Sequence, residues 1–305
     1  MLKSTLFAVS MAALAATTAM PAAAQDAKLK IGMTFQELNN PYFVSMQEAL
    51  KEAAATLGAE VVVTDAGHDV TKQISDVEDM LQQGIDILLL NPTDSAGVEA
   101  AVQAAKAQGV IVVAVDANAN GPVDTFVGSK NRDAGYKSCK YLADALGGKG
   151  EVAILDGIAV VPILQRVEGC KAAFAESPEI KLVTTQNGRQ DRSVALGVVE
   201  NILQSQPNLA GIFSVNDGGA MGALAAIQGS GRDVKLTSVD GAPEAVKAIA
   251  DGSPFIETTA QFPRDQVRVG LAMALAQKWG ARVVPKEVPI DVMVVDSKNA
   301  AEFSW

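Results

Sequence analysis

A chain of 305 residues with 49% hydrophobic and 20% charged side chains is too apolar and too evenly mixed for a disordered protein, and it is long enough for two ordinary domains. Its 35 acidic against 25 basic groups leave a formal charge of −10, which argues against nucleic acid as a partner, because neutralising phosphates needs clustered Lys and Arg. One histidine, His68, and two cysteines, Cys139 and Cys170, exclude by count a site built from several imidazoles or thiolates, which removes most zinc chemistry and, unless His68 serves it, a Ser-His-Asp triad; no metal is expected, and with no cofactor motif in the chain no cofactor either. His68, in AGHDV, reads as an exposed loop residue.

The chain opens with MLKSTLFAVSMAALAATTAMPAAA. A lone charge at Lys3, an apolar stretch from Leu6 to Ala16, and Pro21 followed by small residues predict a secretory signal peptide over 1–24, cleaved before Gln25. Thr17, Thr18 and Pro21 interrupt the apolar run, so a membrane anchor is disfavoured and a periplasmic location is expected. After it, short β-branched runs recur at 29–35, 60–66, 86–91, 110–117, 151–157, 182–187, 210–216, 235–241 and 255–261. Between them lie Ala-rich segments with helical spacing, such as PYFVSMQEALKEAAATLG and DVTKQISDVEDMLQQG. Continuous rather than alternating apolar strands imply sheets covered on both faces, hence βαβ units around parallel sheets. Nine strands and more predict an α/β protein of two doubly wound domains, with an eight-stranded barrel as the weaker alternative.

Doubly wound sheets place ligands at the C-terminal ends of their strands. There the chain carries Gln36-Glu37-Leu38-Asn39-Asn40-Pro41-Tyr42-Phe43, Asp116, Asn216-Asp217 and Asp240. Asn40 can cap a helix with Pro41 at its first position. Tyr42 and Phe43 are adjacent, so the expectation is that only one enters the core and the other faces a cleft. A buried carboxylate costs several kcal/mol, roughly, unless partnered, so repeated Asp at strand ends suggests ligand acceptors. No dinucleotide-binding, P-loop or nucleophile-elbow pattern occurs, and the glycines of NDGGAMGAL are expected to serve close helix–strand packing.

Taken in order, LNNPYF (38–43), LLLNPTDS (88–95), the VD of VAVDA (113–117), QRVEG (165–169), SVNDGGAMGAL (214–224), SVDG (238–241) and TAQFP (259–263) resemble the ribose-binding-like type I periplasmic binding proteins of ABC transporters. The resemblance runs from about Leu29 to Asp291. It implies two domains, 25–130 plus 262–291 and 131–261 plus 292–305, joined by a three-segment hinge near Ser129–Asn131, Gln261–Phe262 and Asp291–Val292. It further implies a monomer that closes on a neutral sugar or polyol and docks on a membrane ABC permease, and it leaves a chemoreceptor open as a further partner.

Carried over residue by residue, the resemblance puts Asn40, Tyr42, Phe43 and Asp116 on one wall of the cleft, and Arg166, Asn216, Asp240 and Gln261 on the other. Gln36 and Gln190 complete the candidate set. The chemistry suits vicinal hydroxyls: carboxylates accept pairs of O–H groups, Arg166 offers a fork of donors, the amides supply either polarity, and a ring covers the ligand's C–H face. The chain departs from the ribose pattern at Ala117, where an Arg is expected, and at Gln190, where an aromatic is expected, so another pentose, a hexose or a polyol is at least as good a candidate as ribose.

Three further expectations follow from the sequence. A sugar-responsive repressor would need an N-terminal helix-turn-helix where the signal peptide stands. An exported isomerase or hydrolase could use Asp116 and Asp240 as a carboxylate pair, but no general base with an evident activator accompanies them. Cys139 and Cys170, on helices either side of strand 151–157 in an exported protein, are expected to form a disulfide rather than stay as packed thiols.

Overall fold

The computed structural model describes residues 28–305, so the signal peptide expected over 1–24 lies outside the described residues. The apolar runs form two six-stranded sheets. The first holds β1 (Lys30–Phe35), β2 (Glu60–Asp65), β3 (Ile87–Leu90), β4 (Ile111–Val115) and β5 (Thr125–Ser129), with β11 (Glu287–Ile290) at its edge. The second holds β6 (Lys149–Asp156), β7 (Glu179–Asn187), β8 (Leu209–Ser214), β9 (Lys235–Asp240) and β10 (Phe255–Ala260), with β12 (Met293–Asp296) at its edge. Two open sheets dispose of the barrel alternative.

Every residue of β3 and of β4 is buried, which is why their sequences run apolar without alternation: helices cover both faces. On the first sheet, α1 (Pro41–Leu57) and α9 (Pro263–Lys278) close one core with Phe35, Met46 and Leu271. The opposite core holds Val77 and Met80 from α2 (Val70–Gln82) and Val102 from α3 (Glu99–Ala107). On the second sheet, α4 (Asn131–Ala145) and α5 (Val161–Ala175) pack one face. The other face takes α6 (Arg192–Ser205), α7 (Asp217–Ser230) and α8 (Pro243–Ala250).

The strand orders are β2-β1-β3-β4-β5 and β7-β6-β8-β9-β10, each reversing direction beside its first strand. That reversal opens a crevice at the carboxyl ends of the strands. The chain passes from the first sheet to the second between Ser129 and Asn131, returns before α9, and passes again between β11 and β12.

Two features depart from the sequence expectation. β12 pairs antiparallel with β10, so the second sheet is mixed at its edge rather than wholly parallel. β5, β11 and β12 are not among the expected runs: their sequences TFVGS, EVPI and MVVD are broken or ended by polar residues, Gly128 or Pro289, and an edge strand such as β11 tolerates the proline. Cys139 and Cys170 are joined, with their Cα atoms 5.0 Å apart across α4 and α5.

Candidate functional site

A cleft of about 1280 Å³ lies at the carboxyl ends of both sheets. All ten sequence-predicted residues line it: Gln36, Asn40, Tyr42, Phe43, Asp116, Arg166, Gln190, Asn216, Asp240 and Gln261. What each is free to do there differs.

On the first wall, Asp116 follows directly on β4, and its φ of 69° turns the chain sharply and leaves its carboxylate buried at the crevice. The Tyr42 hydroxyl donates to Asp116 Oδ1 at 3.1 Å, and Asn91 Nδ2 donates to Oδ2 at 3.3 Å. Gln266 Nε2, from α9, donates in turn to the Tyr42 hydroxyl at 2.8 Å and to Ser129 Oγ at 2.7 Å. Burial pushes Asp116 up to about 6, opposed by Arg166 and by its two hydrogen bonds, and burial beside Asp116 pushes Tyr42 well above the phenolic range.

The expectation that only one of Tyr42 and Phe43 is buried is corrected: both are in the same core. The start of α1 sits in a corner, so Phe43 reaches Phe35 while Tyr42 stands edge-on to Phe43, at 5.3 Å between ring centres, and still touches Asp116. Asn40 caps α1, its Oδ1 accepting the Tyr42 N–H at 3.0 Å, so that oxygen is spent on the helix. Gln36 donates its backbone N–H to Asn91 Oδ1, which leaves its side chain to the cleft.

The second wall is organised by Arg166 on α5, only 4% exposed. Its Nε donates to Asn131 Oδ1 at 2.8 Å, and its Nη1 to the Val215 carbonyl at 2.8 Å and to Asp240 Oδ1 at 3.2 Å. Asp240 ends β9 with φ 146°, a conformation that side chains rarely adopt. Its Oδ1 also accepts from Gln261 Nε2 at 2.8 Å, and its Oδ2 accepts the Asp217 N–H at 3.2 Å, at the start of α7. Burial raises Asp240 and Arg166 pulls it back, while burial beside Asp240 pushes Asp217 up to about 7. Gln261 Oε1 is buried with no partner in the protein.

Asn216 caps α7 through Oδ1, accepting from Gly219 N at 3.0 Å, and its Nδ2 donates to the Gln190 carbonyl at 3.3 Å. Gln190, at φ 58°, accepts the Ile158 N–H on Oε1. Gly222 serves a helix–helix contact rather than the expected helix–strand one, since a Cβ there would overlap the Arg192 carbonyl at the start of α6. His68 stands at the rim with 48% of its side chain exposed. Its Nε2 is 3.2 Å from Glu37 Oε2, and that carboxylate raises its pKa.

Sequence reasoning missed Asn91, Asn131, Gln266 and Trp305 as members of this network. Asn91 ends an apolar strand run as Asp116 does, and that signal could have found it. Asn131, Gln266 and Trp305 carry no local signal; they reach the site by tertiary placement alone. Among the described residues no cluster of His, Cys, Asp and Glu could hold a metal ion.

Comparison with known proteins gives one answer. The periplasmic binding protein domain family matches residues 31–281. The ribose import binding protein of Bacillus subtilis is 40% identical over 234 residues, 76% of each chain. An ABC transporter periplasmic solute binding protein from Actinobacillus succinogenes, solved with bound D-allose, superimposes with a TM-score of 0.85 at 32% identity, covering 90% of this chain and all of that one. The Caulobacter myo-inositol binding protein, solved with myo-inositol, gives a TM-score of 0.84 at 31% identity over 90% and 96% of the two chains.

Proposed function

The chain belongs to the periplasmic binding protein family, and on that premise we propose that its cleft captures one neutral sugar or polyol and closes over it. It is a solute-binding protein of sugar and polyol import by ABC transporters in the periplasm, and not an enzyme. That sets aside the isomerase or hydrolase reading of Asp116 and Asp240.

One observation carries the ligand class. Asp116 and Tyr42 from the first sheet, and Arg166, Asp240 and Gln261 from the second, line a single cleft whose buried charged groups are one guanidinium, Arg166, against three carboxyls, Asp116, Asp217 and Asp240. Such a set has donors and acceptors for hydroxyls and no surplus positive charge for an anionic ligand. Neither wall alone satisfies a buried polyol, and a hydroxyl left unpaired costs about 1–3 kcal/mol, so ligand favours the closed arrangement. In this reading the domains are 25–130 plus 262–291 and 131–261 plus 292–305, the three passages between the sheets act as the hinge, and the permease reads the spacing of the two closed domains. Cleavage of the signal peptide before Gln25, a monomeric carrier, and a chemoreceptor that also reads the closed form complete the proposal.

The test is a melting-shift panel of D-ribose, D-allose, myo-inositol and xylitol, followed by small-angle scattering with whichever compound stabilises the protein. At least one should raise the melting temperature, and the radius of gyration should fall at saturation. No shift across cyclic sugars and polyols would remove the ligand class, and an unchanged scattering profile with a proven ligand would remove the closure.

A further inference from the structure

Trp305 is a residue of the cleft that neither its motifs nor its neighbours in sequence announce. Three aromatic side chains line the cavity, Tyr42, Phe43 and Trp305. Tyr42 and Phe43 are each only 4% exposed, so they present almost no apolar surface to a molecule in the cleft, whereas Trp305 is partly exposed and lines both this cleft and a smaller pocket beside Pro243, Val246 and Phe303.

The position of the indole is fixed from three sides. Phe303, two residues earlier, packs on the core of the second sheet and against Phe262 at 6.4 Å between ring centres. Trp305 itself crosses to the first sheet's core, edge-on to Tyr42 at 5.8 Å. Its Nε1 donates to the Asp240 carbonyl at 3.1 Å, an oxygen that also accepts the Gln261 N–H. The ring therefore sits between Tyr42, which holds Asp116, and Asp240, which Arg166 and Gln261 hold. A molecule whose hydroxyls engage both carboxylates lies beside this ring.

The geometry points to Trp305 as a ligand-contacting, specificity-determining residue: its indole supplies the apolar wall against which the C–H face of a monocyclic polyhydroxyl compound rests. This assignment depends on the proposed function and adds the apolar half of the site to the polar half already described. With the other two rings buried and Gln190 in place of a ring on the second wall, it predicts that the cleft holds cyclic ligands more tightly than linear ones: a ring offers one continuous C–H face, and an extended polyol does not.

The test uses the two tryptophans of the chain. Trp279 lies at the end of α9, 74% exposed and away from the cleft, so Trp279→Phe leaves Trp305 as the sole indole reporter. D-Ribose, D-allose, myo-inositol and xylitol serve as probes, and a compound that raises the parent's melting temperature is carried forward. At saturation the acrylamide quenching constant of Trp305 should fall at least about twofold as the ligand covers the ring. Trp305→Ala should weaken binding of a cyclic ligand by about tenfold or more, and Trp305→Phe by only about threefold. An unchanged quenching constant at saturation, or a Trp305→Ala variant that binds as the parent does, overturns the assignment. Should Trp305→Ala fail to fold, the quenching measurement and Trp305→Phe decide it. If no probe stabilises the parent, the proposed ligand class is wrong, and that failure is distinct from a silent Trp305 in a protein that binds.

Discussion

Arg166 is the residue on which the second wall depends. It is a buried guanidinium whose three protein bonds hold Asn131, the Val215 carbonyl and Asp240 in register, and in the proposed function it also shares its charge with the ligand. Removing it does two things that must be separated: a donor to the ligand is lost, and Asp240 is left buried without its cation. Arg166→Met should weaken ligand binding by about 10- to 100-fold, matching a charge-assisted bond of roughly 1.5–3 kcal/mol, and should also lower the melting temperature. Adding Asp240→Asn removes the stranded charge, so the double variant should regain stability without regaining affinity. Calorimetric titration alongside melting checks this, and a double variant that binds like the parent would make Arg166 purely structural.

At the scale of elements, the placement of Arg166 depends on how closely α4 and α5 approach. A Cβ at Gly135 would overlap the backbone carbonyl of Arg166, and one at Gly169 would overlap that of Arg132, so the two helices touch backbone to backbone. Just past those contacts on both helices the Cys139–Cys170 bond joins residues 31 apart in sequence, worth about 3–4 kcal/mol in the chain-entropy model. Gly135→Ala needs α5 to move outward and carries Arg166 with it. It should cost about 1–3 kcal/mol of stability and weaken ligand binding together, even though residue 135 touches no ligand. Urea denaturation and a binding titration of the oxidised protein check both effects; an alanine variant matching the parent in both would mean that the helices are not in backbone contact.

The whole molecule adds a pH dependence that no single wall shows. Burial pushes Asp116 up to about 6, Asp217 up to about 7 and Glu257 up to about 8, and it raises Asp240 as well. A carboxyl whose folded pKa lies above its unfolded value gives stability that is fully present below the unfolded value and is lost as pH rises through the folded one. The ligand-free protein should therefore melt at progressively lower temperature from pH 5 to pH 8. Each such proton contributes about 1.4 kcal/mol per pH unit within its own window. Asp86 and Asp124, whose pKa values are lowered, act only below that range. Glu257 accepts from Ser138 and Thr259 away from the cleft, so Glu257→Gln should flatten the slope without altering affinity. Melting curves at constant ionic strength provide the check, and an identical slope in the variant would contradict the raised Glu257.

The continuous apolar runs determined the α/β class and the two parallel layers, because a strand covered on both faces has no polar side to show. Strand-end polar residues such as Asp116, Asn216 and Asp240 were legible for the same reason: each breaks an apolar run where the chain leaves the sheet. Asn40 was legible as a cap by its neighbour Pro41, whereas the cap that Asn216 makes on α7 emerged only from the structure. What the sequence did not carry was anything set by approach between distant segments. The antiparallel edge strand β12, the burial of Tyr42 and Phe43 in one core, the reach of Gln266 from α9 to Tyr42, and the crossing of Trp305 from one core to the other all join residues far apart in the chain. Local periodicity reports which side of an element is buried, but only the packed structure decides which partner buries it.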